Sequence, residues 1–173
     1  MLNTLVHPSV WPSAFPMIRA GGLFIAIMGL GVVTGAVSPS RRRCLLMFGA
    51  GAATAAIVLF AGRLSAPYGR PSHLQLWFLF GSIVLEAILI RLAVMRYRAS
   101  GERPLLLAIL FVVGIHFLPM SVPFGPMCIA LGLILCACAG TGLWLRPNLP
   151  LNSLWAVDGV LKITIGAVMF LAF

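Results

Sequence analysis

The sequence predicts an all-α integral membrane protein, a bundle of six transmembrane helices arranged as three two-helix hairpins. Three observations carry this. First, 61% of the 173 residues are hydrophobic and 9% are charged, whereas a soluble domain carries about 45–50% apolar and about 25% charged residues. Too few polar side chains exist to cover a surface facing water, and the composition is the reverse of that of a disordered chain. Second, the apolar residues fall in six continuous runs rather than in an alternating pattern. Lipid forces every backbone group to pair internally, so continuous runs point to helices and not to a barrel. Third, the basic residues gather in the gaps between runs.

Against a yardstick of about 20 residues per span, with about 17 as the lower limit, helices are expected at about 20–37, 44–62, 74–94, 104–122, 127–145 and 152–173. Together they form one transmembrane domain over 1–173. The first carries Gly31 and Gly35 in GxxxG spacing. The segment before it has no Lys or Arg until Arg19 and is not read as a cleavable signal. Its Trp11 and prolines suit a membrane surface. The second run brings Gly49 and Ala53, and the fifth brings Gly132, Cys136 and Gly140. Such small-residue faces let helix backbones approach closely, within one bundle or between two copies of the chain. The fourth run is short: it reaches spanning length only if the helix continues through Pro119 to about Val122.

Orientation follows from the positive-inside rule. Arg41, Arg42, Arg43, Arg91, Arg96, Arg98, Arg103 and Arg146 share one side, against Arg19, Arg63 and Arg70 on the other. Both termini are therefore expected outside, and the expected location is a bacterial inner membrane. The net charge of +9 is read as topology and as attraction of anionic lipids to the arginine-rich inner face, not as nucleic-acid binding, for which no module is present. Trp77, Trp144 and Trp155 fall near expected helix ends, where amphipathic rings anchor at headgroups.

Three segments on the outer side share a phrase: Ser13-Ala14-Phe15-Pro16-Met17, Ser65-Ala66-Pro67-Tyr68-Gly69-Arg70-Pro71 and Ser121-Val122-Pro123-Phe124-Gly125-Pro126-Met127. Pro16, Pro71 and Pro126 stand 55 residues apart. That period superimposes the helices as three hairpins, the reading of a parallel threefold repeat.

Four ionisable residues fall within the apolar runs: Glu86, His116, Asp158 and Lys162. Each costs at least about 2.5 to 3.5 kcal/mol inside hydrocarbon, so each needs a partner, water or a function. Gln75, Ser82 and Glu86, spaced seven and four apart, align on one face as a polar stripe reaching mid-membrane. Asp158 and Lys162 are spaced i, i+4 and can pair on their own helix. Glu86 and Lys162 sit at similar depths, about 18 Å and about 15 Å from their helix starts. A three-member Glu86/Asp158/Lys162 cluster is therefore expected, with one carboxylate in surplus whose charged form desolvation disfavours.

That arrangement suits a small carrier or channel for protons or a small solute, with Glu86 reached along Gln75 and Ser82. The alternative is a non-catalytic membrane subunit in which the polar groups fix helix register. A third reading, soft-metal (copper) handling at the outer face, draws on His116 and Met120 at i, i+4, with His7, Met17, His73, Met127 and Cys128 nearby. No metal or other cofactor is expected on spacing grounds, since no two of these share a diagnostic motif beyond His116 and Met120. Cys44, Cys128, Cys136 and Cys138 contain no CxxC pair and read as small apolar residues. Hydrolase, zinc-protease and phosphate-loop signatures are absent from the sequence, which disfavours an enzyme.

Overall fold

A computed structural model describes residues 14–65 and 68–173. The expectations placed on His7, Trp11, Ser13, Ala66 and Pro67, and on the side chains of Arg42, Arg43 and Cys44, lie outside the described residues. The structure is helical throughout its ordered elements: α1 Ile18–Val37, α2 Arg42–Ser65, α3 His73–Tyr97, α4 Glu102–Phe124, α5 Met127–Gly140 and α6 Leu151–Leu171. Short 3-10 turns occupy Pro39–Arg41 and Arg98–Ser100, and a π-helical turn at Thr141–Leu145 extends α5. Among the described residues five helices are long and apolar enough to cross a membrane: α1, α3, α4, α5 with its π turn, and α6.

The fourth helix runs unbroken through Pro119 and Pro123 to Phe124. A proline removes one backbone donor and strands the carbonyl four residues before it. The helix ends where Gly125 takes φ 98° and its N–H bonds the Ser121 carbonyl, a left-handed conformation that glycine adopts without a Cβ penalty.

Packing does not follow three hairpins. α1 lies between α2 and α6, α4 lies between α3 and α5, and α5 and α6 share only a minor contact. The expected third hairpin is thus open, with each of its helices resting on another partner. The cause is where glycines permit backbone contact. A Cβ built on Gly29 would lie 2.7 Å from the Gly159 carbonyl oxygen, and one on Gly22 would lie 2.7 Å from that of Gly166. Gly22 and Gly29 on α1 and Gly159 and Gly166 on α6 are each seven residues apart, so both pairs meet on one antiparallel seam. With no side chain between the backbones, the seam is held by close van der Waals contact. Gly31 meets Gly49 in the same way between α1 and α2, and Gly114 meets Gly132 between α4 and α5.

A core cluster at the end holding the start of α1 and the C-terminal Phe173 joins Ile18 and Ile25 to Phe117, Met120, Phe124, Cys128, Leu131 and Met169. A second, at the arginine-rich end, packs Trp155 against Val32, Leu107 and Leu110. Trp155 is 2% exposed, so it is a core residue and not the interfacial anchor expected of it. Trp77 and Trp144 are exposed. Trp155 begins a buried stripe of α6 that continues through Asp158, Gly159, Lys162, Gly166 and Met169, which puts the two charges on the face turned inward.

Candidate functional site

Among the five membrane-length helices of the described residues α3 is the least covered by its neighbours, with Leu74, Trp77, Phe80, Val84, Ile88 and Met95 all exposed. Its start is fixed by a capping box: the Ser72 hydroxyl accepts the Gln75 N–H at 3.2 Å, and the Ser72 N–H donates to Gln75 Oε1 at 2.9 Å. The Gln75 amide nitrogen donates to the Ala14 carbonyl at 2.9 Å and to the Val122 carbonyl at 3.5 Å. Val122 is the residue whose helical partner would be the N–H of residue 126, and Pro126 has none. Gln75 therefore ties three chain segments together, and its donors and its carbonyl oxygen are all engaged. Seven residues on, the Ser82 hydroxyl donates to the Leu79 carbonyl at 2.7 Å.

One turn beyond Ser82, Glu86 faces His116 of α4. His116 Nδ1 lies 3.0 Å from the Ser82 carbonyl oxygen and 3.6 Å from Glu86 Oε2. A carbonyl only accepts, so Nδ1 carries a proton, and in the neutral ring Nε2 is the unprotonated nitrogen. The His116 side chain is 8% exposed and that of Glu86 27%. The Nδ1–H therefore bonds the Ser82 carbonyl and lies beside the Glu86 carboxylate, beyond hydrogen-bond range of it. Next to the pair, a shallow groove of about 290 Å³ opens between α3 and α4, lined by Trp77, Phe78, Gly81, Ser82, Leu85 and Pro119.

The other charges lie apart from this pair. Lys162 Nζ donates to Asp158 Oδ2 on its own helix, and each residue is 3% exposed. The pair's formal charges cancel, and it lies on the same buried stripe of α6 as Gly159 and Gly166, whose backbones touch α1. Among the described residues no ion pair joins Glu86 to Asp158 or Lys162, and α3 shares no substantial contact with α6. The expected three-member cluster is thus two separate pairs. Equal depth was its only basis, and helix rotation assigned Glu86 a different partner.

The soft donors divide similarly. His116 turns its Nδ1 to the Ser82 carbonyl, whereas Met120, Cys128 and Met169 belong to the apolar core cluster, with Met17 and Met127 packed on it. Among the described residues no three His, Cys, Asp or Glu side chains converge as a metal site.

Several residues that sequence reasoning did not single out hold the ends of the bundle. Arg19 donates to the Phe170 carbonyl at 3.2 Å with its guanidinium 5.4 Å from that residue's ring centroid. The Tyr68 hydroxyl donates to the Phe173 carbonyl. Arg103 donates to the carbonyls of Gly142 at 3.2 Å and Leu149 at 2.8 Å, satisfying acceptors left open where α5 winds into its π turn. The seven-residue recurrence of Gly22, Gly29, Gly159 and Gly166 was the available signal for the α1–α6 seam; side-chain bonds to distant carbonyls leave no trace in sequence.

A protein helical throughout its described elements, with apolar helices of membrane-crossing length, one buried ion pair and one carboxylate–imidazole contact between helices, is thus the class that fold and site define. Residues 11–173 match the model of a family described as of unknown function, DUF6609, and the chain belongs to that family. No curated protein and no solved structure matches it.

Proposed function

We propose that this chain is an integral membrane protein in which Glu86 and His116 take up and release a proton within the bilayer, as the working site of a small proton-linked carrier. One observation carries this reading: two titratable side chains from different helices lie 3.6 Å apart, His116 buried and Glu86 partly so, away from the Asp158–Lys162 pair. An interhelical pair of this kind couples protonation to helix packing, since the attraction across the seam depends on where the proton resides. The arginine-rich end is read as cytoplasmic by the positive-inside rule, with both termini outside. A helical bundle fits the bacterial inner membrane, where barrels are the outer-membrane form.

The stripe of Gln75 and Ser82 supports a different role from the entry route expected of it, since both side chains are engaged in hydrogen bonds to the chain. That favours, as the second reading, a non-catalytic membrane subunit whose polar groups set helix register. Proton flux into liposomes carrying the purified protein separates the two. The carrier reading expects flux above empty liposomes that Glu86→Gln abolishes, His116→Gln strongly reduces, and Gln75→Ala leaves in place. Wild-type flux equal to that of empty liposomes sinks it and leaves the subunit reading.

A further inference from the structure

At the arginine-rich end a second groove, of about 240 Å³, runs between α3, α4 and the π turn. Its walls are apolar: Leu89, Leu92 and Ala93 of α3, Phe111 and Val112 of α4, and Leu143. Its mouth is not, for Arg96, Tyr97 and Trp144 stand there. Arg96 is exposed, with its guanidinium 5.5 Å from the Tyr97 ring centroid. Trp144 is exposed and stands edge-on to Phe111, their centroids 5.1 Å apart. The π turn supplies this placement. Its wider winding carries Trp144 toward the groove, and Arg103 holds the turn by bonding the Gly142 carbonyl.

We infer that this groove seats an anionic phospholipid, with one acyl chain along Leu89, Leu92 and Phe111 and the phosphate on Arg96. The inference rests on the membrane reading but not on proton carriage. Charge complementarity selects the occupant. The groove is apolar along its length, so a hydrocarbon chain fits it. The one charged side chain lining it is a cation at the mouth, at the level where exposed Trp and Tyr rings meet headgroups. Arginine suits a phosphate because its planar fork can donate two hydrogen bonds at once. One basic residue near the surface favours an anionic over a zwitterionic headgroup by about fivefold.

The test is tryptophan quenching in bilayers containing phospholipids with brominated acyl chains. Comparing wild type with Trp144→Phe isolates the Trp144 signal. Brominated phosphatidylglycerol is expected to quench it at about fivefold lower mole fraction than brominated phosphatidylcholine. Arg96→Gln should remove that preference, whereas Arg98→Gln, at an exposed arginine outside the groove, should retain it. Equal quenching by both lipids, or equal loss in the two arginine variants, overturns the specific site while leaving the protein in the membrane. Absence of quenching by either lipid at every tryptophan overturns the membrane reading and the site with it.

Discussion

His116 and Glu86 face one another across the seam of α3 and α4, with Nδ1 3.6 Å from Oε2, and the same nitrogen is anchored at 3.0 Å on the Ser82 carbonyl. The anchor matters as much as the pair. It fixes the ring's orientation, so Glu86 meets an imidazole already held in place. Glu86→Gln and His116→Gln should therefore be non-additive in a thermal-unfolding cycle in detergent, with a coupling of about 0.5–3 kcal/mol. Additive losses would mean that the two side chains do not interact.

The Asp158–Lys162 pair predicts a different pattern. Either single change, Asp158→Asn or Lys162→Met, strands a charge where each residue is 3% exposed and should cost about 3–5 kcal/mol, whereas the double change should cost much less. Combining Lys162→Met with Glu86→Gln should give simply additive losses, because these residues belong to separate pairs. Rescue in that combination would restore the single cluster that depth alone suggested.

Backbone contact between α1 and α6 makes their glycines intolerant of even one methyl group. Gly29→Ala places a Cβ 2.7 Å from the Gly159 oxygen and 2.8 Å from the Ile163 nitrogen, so the helices must separate, at about 1–3 kcal/mol. Gly81→Ala on α3 meets nothing within 4 Å and should be neutral or stabilising by up to about 1 kcal/mol, since alanine is the better helix former. Melting temperatures of the two variants decide the point, and equal losses would exclude a tight α1–α6 seam.

Gln75 should behave as a clamp. Gln75→Ala removes the capping box and both bonds to Ala14 and Val122, an expected loss of about 1–2 kcal/mol. Gln75→Glu keeps an acceptor for the Ser72 N–H but has no amide donor, so it should recover only part of that loss. Full recovery with Glu would show that capping alone accounts for Gln75.

How much could be read in advance differs by level. Helix positions were legible because membrane-length apolar runs are a property of the chain alone: a helix expected at 74–94 runs His73–Tyr97, and one expected to need Pro119 passes through it to Phe124. The Asp158–Lys162 pair was legible too, because i, i+4 spacing on one helix fixes a contact without any neighbour. Its placement on the buried face of α6 follows from the seven-residue recurrence of Gly159 and Gly166. The partner of Glu86, the opening of the third hairpin and the burial of Trp155 were decided only by the tertiary structure. Each depends on how one helix is rotated and placed against another, which here is set by where backbones can touch. A hydropathy pattern gives a residue's place along its helix, but Glu86 and Lys162, expected at similar depths, face different neighbours.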